Sequence, residues 1–253
     1  MALAEKTILI TGGLGGIGLG LARELLGRRA RVILSGRAAR DSGLAAEAAA
    51  LGPGVGYVVL DVTDEQAWPA AIETIEAEQG RLDGLVNNAG LVGPAASFEA
   101  TTLDSWRRQR EVNLDGAFLG CRFAIEAMAR TGGGAIVNIS SAVADFTVPE
   151  AAAYITAKSA LLTLTRLAAK AGARHGVRVN AVLPGAIDTP MLRSHVRPGQ
   201  DPQAFIDRLA EGHPIGRIGA PLDIARAVTF LLDPEAGFVT GSLLAVDGGQ
   251  GLR

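Results

Sequence analysis

A tyrosine and a lysine stand four positions apart in Tyr154-Ile-Thr-Ala-Lys158. On a helix that spacing places phenol and ammonium on one face. A phenol has a pKa of about 10 and is a poor base at neutral pH, but a nearby positive charge stabilises the phenolate and lowers that value. Such a pair can exchange a proton with an alcohol or carbonyl oxygen. Alone the pattern is weak, because tyrosine and lysine at this spacing often arise by chance. Context strengthens it. Ser140 and Ser141 close the run Ala135-Ile-Val-Asn-Ile139, where a hydroxyl can hydrogen-bond the same oxygen. Asn113 lies inside an apolar helical segment, where propensity disfavours an amide, and can hold a water leading outward from Lys158. In isolation an exposed helix position would explain Asn113 equally well.

A second chemistry is written near the N-terminus, where Thr11-Gly12-Gly13-Leu14-Gly15-Gly16-Ile17-Gly18 follows an apolar run and precedes a helical one. Glycines permit positive φ and close approach of backbone to a diphosphate, and the helix start offers unpaired N–H groups to an anion. The segment fits Gly-x-Gly-x-x-Gly at Gly13, Gly15 and Gly18, and Gly-x-x-x-Gly-x-Gly at Gly12, Gly16 and Gly18; sequence leaves both registers open. No lysine followed by Ser or Thr completes a P-loop, so a dinucleotide is the expected ligand. After the second apolar run stand Ser35-Gly36-Arg37, where an NAD-selective chain usually carries an acidic residue for the ribose hydroxyls. A guanidinium there pairs with a ribose 2′-phosphate, which favours NADP(H) over NAD(H).

The elements that position these residues alternate. Short β-branched runs at 7–10, 31–34, 55–60, 84–86, 135–139, 177–182 and 243–246 read as continuously apolar, as strands buried on both faces of a parallel sheet require. Helical segments at 17–28, 43–51, 64–78, 103–130, 151–175 and 221–232 lie between them. The expectation is one α/β domain over 1–253, a doubly wound, Rossmann-like parallel sheet of about seven strands. Gly12, Arg37, Asp61, Asn88, Ser141 and Pro184 then fall at or just beyond the carboxyl ends of strands, where such sheets bind ligands. The proline-rich stretch 188–214, with a short helix at 203–211, is a candidate substrate lid.

Composition narrows the rest. With 48% hydrophobic and 20% charged residues the chain can fill one large core. A net charge of −2 leaves no basic excess for nucleic acid or an anionic membrane. No apolar run approaches the roughly 20 residues of a membrane span. One cysteine, Cys121, can form neither an internal disulfide nor a zinc site, no metal is expected, and without a leader-like segment at the start the expected location is the cytoplasm. The almost uniformly apolar helix from about 151 suggests burial against a second subunit.

Taken together, these residues resemble the short-chain dehydrogenase/reductase family over nearly the whole chain, from Thr11 to Gly249. The family's Thr-Gly-x-x-x-Gly-x-Gly falls on Thr11-Gly12-Gly-Leu14-Gly-Gly16-Ile17-Gly18, and so favours Gly12, Gly16 and Gly18 with Leu14 and Ile17 at the cofactor. Its Asn-Asn-Ala-Gly falls on Asn87-Asn88-Ala89-Gly90. Its serine, then tyrosine thirteen residues on and lysine four further, fall on Ser141, Tyr154 and Lys158, with Asn113 as the helical asparagine. Asp61, followed by Val62, matches the aspartate that contacts adenine, and Pro184-Gly185-Ala-Ile187-Asp-Thr189 matches the motif beside the nicotinamide. The resemblance implies hydride transfer at nicotinamide C4 and a homotetramer. It makes Tyr154 the acid/base, Ser141 the group that orients the carbonyl oxygen, Lys158 the group that lowers the phenol pKa and holds ribose, and Asn113 the holder of a relay water. One departure is Ala144 where many members have glycine, followed by Asp145 and Phe146, a change expected to reshape the substrate mouth. The expected activity is NAD(P)(H)-dependent interconversion of a secondary alcohol and a ketone, both small molecules. A 3-oxoacyl thioester reductase is the alternative, and a dinucleotide-sensing protein without chemistry is disfavoured by the intact four-residue set.

Overall fold

The computed structural model describes residues 2–37, 44–197 and 199–252. Seven strands, β1 (Thr7–Thr11), β2 (Arg31–Gly36), β3 (Val55–Val59), β4 (Gly84–Asn87), β5 (Gly134–Ile139), β6 (Val177–Pro184) and β7 (Leu243–Val246), pair parallel in the order β3-β2-β1-β4-β5-β6-β7. Every run expected from sequence is a strand. Four of them run further at the carboxyl end than the apolar pattern did, to Thr11, Gly36, Asn87 and Pro184. Those added residues lie at the carboxyl edge of the sheet.

Side chains alternate across the sheet, and both faces are covered. Ile8 and Ile10 pack with Leu21 and Leu25 of α1 (Gly16–Gly27), and further helices complete each layer. These are α2 (Leu44–Ala49), α3 (Ala67–Gln79), α4 (Leu103–Arg110), α5 (Gly116–Ala129), α6 (Ala152–Ala173), α7 (Pro190–Arg193), α8 (Pro202–Glu211) and α9 (Pro221–Leu232). Ile224 and Val228 of α9 join the α1 side, while Leu9 and Leu85 face Trp68 and Ile72 of α3 and Leu119 of α5. Each fully buried aliphatic side chain contributes about 1.5–3 kcal/mol relative to exposure. The Trp68 indole also donates to the Val62 carbonyl at 3.1 Å.

Three helical expectations change in detail. The segment 103–130 is not one helix: a π-helical turn, Glu111–Asp115, separates α4 from α5. An i→i+5 turn leaves no mark on a hydrophobic period. The helix expected from 64 starts at Ala67, because the Asp64 carboxylate accepts from the Gln66 N–H at 2.9 Å and closes a local turn. The short α7 in the proposed lid was not anticipated. Gly43 and Pro198, from the expected second helix and the lid, lie outside the described residues.

The strand order reverses between β2 and β4 on either side of β1. A crevice at that switch point, beyond the carboxyl ends of β1 and β4, is where a doubly wound sheet binds its ligand. Among the described residues no helix is long and apolar enough to cross a membrane.

Candidate active site

The turn after β1 resolves the choice of glycine register on steric grounds. Gly12 has φ +59°, the left-handed region that favours glycine. A Cβ on Gly16 would stand 2.7 Å from Thr189 Cγ2, and one on Gly18 only 2.5 Å from the Gly13 carbonyl oxygen. Gly15 has no comparable demand, since its Cβ would approach nothing closer than the Gly12 carbonyl oxygen at 3.3 Å. Gly12, Gly16 and Gly18 are therefore the constrained set, and Gly13 is needed separately against Leu34. Gly18→Ala should cost about 1–3 kcal/mol in urea unfolding, because the obstacle is backbone, whereas Gly15→Ala should stay near wild type. Equal stability of the two variants would refute this account of the turn.

The crevice wall is held by Thr11, whose functional weight the sequence reading missed. Its Oγ1 accepts from both the Asn88 and Ala89 N–H groups at 3.0 Å, while Asn88 Nδ2 donates to the Thr11 and Gly12 carbonyls at 2.9 and 3.1 Å. The two strands flanking the switch point are thus tied side chain to backbone. A buried threonine at the last position of a strand, just before a glycine turn, was the available signal.

Arg37 is exposed at the end of β2, and Asp61 is half-buried beyond β3. Burial alone would raise the Asp61 carboxyl, but hydrogen bonds from the Thr63 N–H (3.0 Å) and hydroxyl (2.8 Å), with the Arg37 and Arg108 guanidiniums, hold it below its ordinary value. Gly36 has a packing reason as well, because a Cβ there would sit 2.8 Å from the Tyr57 hydroxyl.

At the reacting end, Lys158 and Asn113 are almost fully buried, 4% and 1% exposed. An exposed-surface explanation of Asn113 is thereby removed. Its amide bonds the loop after β4 on both sides: Oδ1 accepts from Leu91 N at 3.0 Å and Nδ2 donates to Leu91 O at 2.7 Å. The side chain thus fixes that loop. Lys158 Nζ donates to the Ile139 carbonyl at 2.8 Å, and Ser140 Oγ donates to the Lys158 carbonyl at 2.9 Å. Strand β5 and helix α6 are pinned together on both sides of the lysine. Ser140 has this positioning role, and Ser141 is the serine bonded to the Tyr154 hydroxyl.

Lys158 Nζ lies 5.7 Å from the centroid of the Tyr154 ring. The expected lowering of the phenol by the ammonium is not what the geometry produces. Burial pushes the Tyr154 pKa up and outweighs the Ser141 hydrogen bond, which acts downward. Burial also depresses Lys158 to about 8. The ammonium points at a backbone carbonyl and is itself desolvated, so the phenol holds its proton. A Cβ on Gly90 would stand 3.2 Å from Asn113 Oδ1 and 3.7 Å from Lys158 Nζ, so glycine keeps open the space beside the ammonium. With the glycine turn, this keeps the space at Gly12, Gly16 and Gly90 free of side chains, a surface that fits close approach of a dinucleotide. In the loop after β6, Thr189 packs on Gly16, which brings that loop against the glycine turn.

Ala144 corrects one expectation. It is buried with Leu162, Ala181 and Leu183, so its methyl fills a small core rather than the mouth; Asp145 is exposed and Phe146 half-exposed beside it.

A family model described as enoyl-(acyl carrier protein) reductase matches residues 12–250. Cis-4-hydroxycyclohexanecarboxylate dehydrogenase of Sinomonas cyclohexanicum is 38% identical, covering 98% of this chain and 97% of its own. The 2-(S)-hydroxypropyl-CoM dehydrogenase 3 of Xanthobacter autotrophicus (strain ATCC BAA-1158 / Py2) is 41% identical, covering 98% and 97%. The solved structure of ElxO with NADP bound superposes with a TM-score of 0.90 at 32% identity, over 98% of this chain and 99% of that one. The chain belongs to the short-chain dehydrogenase/reductase family and is an oxidoreductase that acts on CH–OH groups with a nicotinamide dinucleotide.

Proposed function

We propose that Ser141, Tyr154, Lys158 and Asn113 form the catalytic set for interconversion of a small cyclic secondary alcohol and its ketone. The observation that carries this reading is the half-buried Tyr154, its hydroxyl bonded to Ser141, one helical turn before a buried Lys158. Bound nicotinamide supplies or accepts the hydride at its C4. In reduction the carbonyl oxygen takes the Tyr154 phenolic proton while Ser141 Oγ donates a hydrogen bond to it. Oxidation runs the same exchange backwards, with Tyr154 taking the alcohol proton. Lys158 holds positive charge beside the ring and would hold the ribose hydroxyls of a bound dinucleotide, and Asn113 anchors the loop that shapes this end.

Gly12, Leu14, Gly16, Ile17 and Gly18 would hold the diphosphate, Asp61 and Val62 the adenine end, and Asn88, Ala89 and Gly90 the stretch between them and the nicotinamide. Ile187 and Thr189, in the loop after β6, flank the nicotinamide. Arg37 beside the adenosine ribose supports NADP(H) over NAD(H). The segment 188–214 acts as substrate lid, with Met191 exposed on α7. Within it Arg193 is committed to Asp188 through bonds of 2.7 and 2.8 Å, which leaves less cationic surface for an acyl-carrier partner. Exposed Leu167 on α6 and Phe230 on α9 support a homotetramer, and the charge and cysteine pattern support a cytoplasmic location. The thioester alternative keeps a place because of the matching family model's description.

A panel of cyclic and open-chain secondary alcohols, their ketones and a 3-oxoacyl thioester, assayed with both cofactors by nicotinamide absorbance, tests this function. Turnover should be fastest with a cyclic pair and NADP(H). Turnover of the thioester alone would reject the substrate class, and tighter binding of NAD(H) would reject the cofactor preference.

A further inference from the structure

Neither the hydride nor the proton step uses His213, yet it is 3% exposed and fully bonded. Its Nδ1 donates to the Leu209 carbonyl at 2.7 Å, and its Nε2 accepts from the Ala186 N–H at 3.1 Å. The two bonds fix the tautomer. Leu209 belongs to the last turn of α8, in the lid. Ala186 sits in the loop after β6, between Gly185 and Ile187.

The close approach is built in. A Cβ on Gly185 would stand 2.8 Å from His213 Nε2, so the imidazole needs glycine there. Behind the loop lies a cavity of about 620 Å³ lined by Gly185, Ala186, Ile187, His213, Asp223 and Asp247 among others. Ile187 packs into the core, but the Gly185–Ala186 end of the loop is backed by this cavity. It is held by bonds: the Ala186 N–H to His213, the Ala186 carbonyl accepting from Gly219 N at 2.8 Å, and Asp188 N donating to Gly219 O at 2.9 Å. Two residues beyond His213, Ile215 N donates to the Gly248 carbonyl at 3.1 Å and ties this segment to the C-terminal turn.

We infer that His213 is a positioning residue that couples the end of lid helix α8 to the loop facing the nicotinamide, and so sets affinity for the nicotinamide half of the cofactor. This rests on the dehydrogenase reading above. Two substitutions separate the two bonds. His213→Asn keeps a donor near the Nδ1 position but cannot reach Ala186, whereas His213→Gln places an acceptor near the Nε2 position.

Calorimetric titration with NADPH, NADH and the 2′-phosphate of ADP-ribose, which lacks nicotinamide, reads the effect. The Asn variant should bind NADPH about tenfold more weakly, as expected when a buried N–H loses its acceptor, with its affinity for the ADP-ribose compound unchanged. The Gln variant should recover most of that loss, and both should melt close to each other. In the wild type, amide exchange over 185–189 and 209–213 should slow together on NADPH and not on the ADP-ribose compound. That measurement needs no variant to fold. Parallel losses for both ligands, no rescue by Gln, or protection of one segment without the other overturn the inference. Wild-type protein that binds neither NADPH nor NADH overturns the dehydrogenase reading itself.

Discussion

Tyr154→Phe should lower kcat by about a thousandfold in both directions, the size expected when a positioned acid/base is removed, while cofactor affinity and melting temperature change little. Phenylalanine keeps the ring where it packs on α6 and loses only the hydroxyl bonded to Ser141. Steady-state kinetics beside a dinucleotide titration make the comparison. Retained turnover would require another group to carry the proton. The same phenol sets a pH asymmetry in the wild type: burial raises its pKa, so the protonated acid that reduction needs is present at neutral pH. The base that oxidation needs appears only as pH rises. Oxidation should therefore accelerate on the alkaline side, and reduction should not.

Lys158→Met should also remove most activity, by about a hundredfold or more, since the charge beside the phenol and its bond to Ile139 disappear. Its stability signature is as informative as its kinetics. Burial lowers the folded-state pKa from 10.5 to about 8, so between those values the unfolded chain binds the proton and the folded one does not. Wild-type stability then rises with pH across that window, because unfolding takes up a proton. Below about pH 8 both states carry it, and the folded state bears the full cost of a desolvated ammonium. Methionine has no such cost. The stability of the variant relative to wild type should fall by about 3 kcal/mol from below pH 8 to above pH 10.5. Urea unfolding at several pH values reads this difference directly, and a pH-independent difference would sink the assignment of a charged, buried Lys158.

Much of this was legible in the chain because it is local. Seven apolar runs, two-faced and short, dictate a parallel sheet, since only burial on both faces explains the lack of alternation. The glycine turn was legible as a cluster between a strand and a helix, but its register was not, because Gly16 answers to Thr189 and Gly12 to Ala89, both distant in sequence, and only Gly18 to its own turn. Less local properties were not. Asn113 in isolation was as well explained by an exposed helix position as by a role at the site, and only the loop after β4, bonded to it through Leu91, shows it buried. The methyl of Ala144 read as a wall of the mouth and is instead part of a core completed by Leu162, Ala181 and Leu183.

The opening pair shows the division most clearly. Spacing alone determined that phenol and ammonium share one helical face, because 3.6 residues complete a turn. The elements supplying the serine and the glycine turn also followed from composition and order. Only the tertiary structure decided the charge state of the pair. Desolvation and the direction of an ammonium depend on what surrounds them, and here a strand carbonyl 2.8 Å from Lys158 and the burial of Tyr154 leave the proton on the phenol. The link from His213 to Ala186 belongs to the same class, joining residues 27 apart in sequence through a contact that no local pattern encodes.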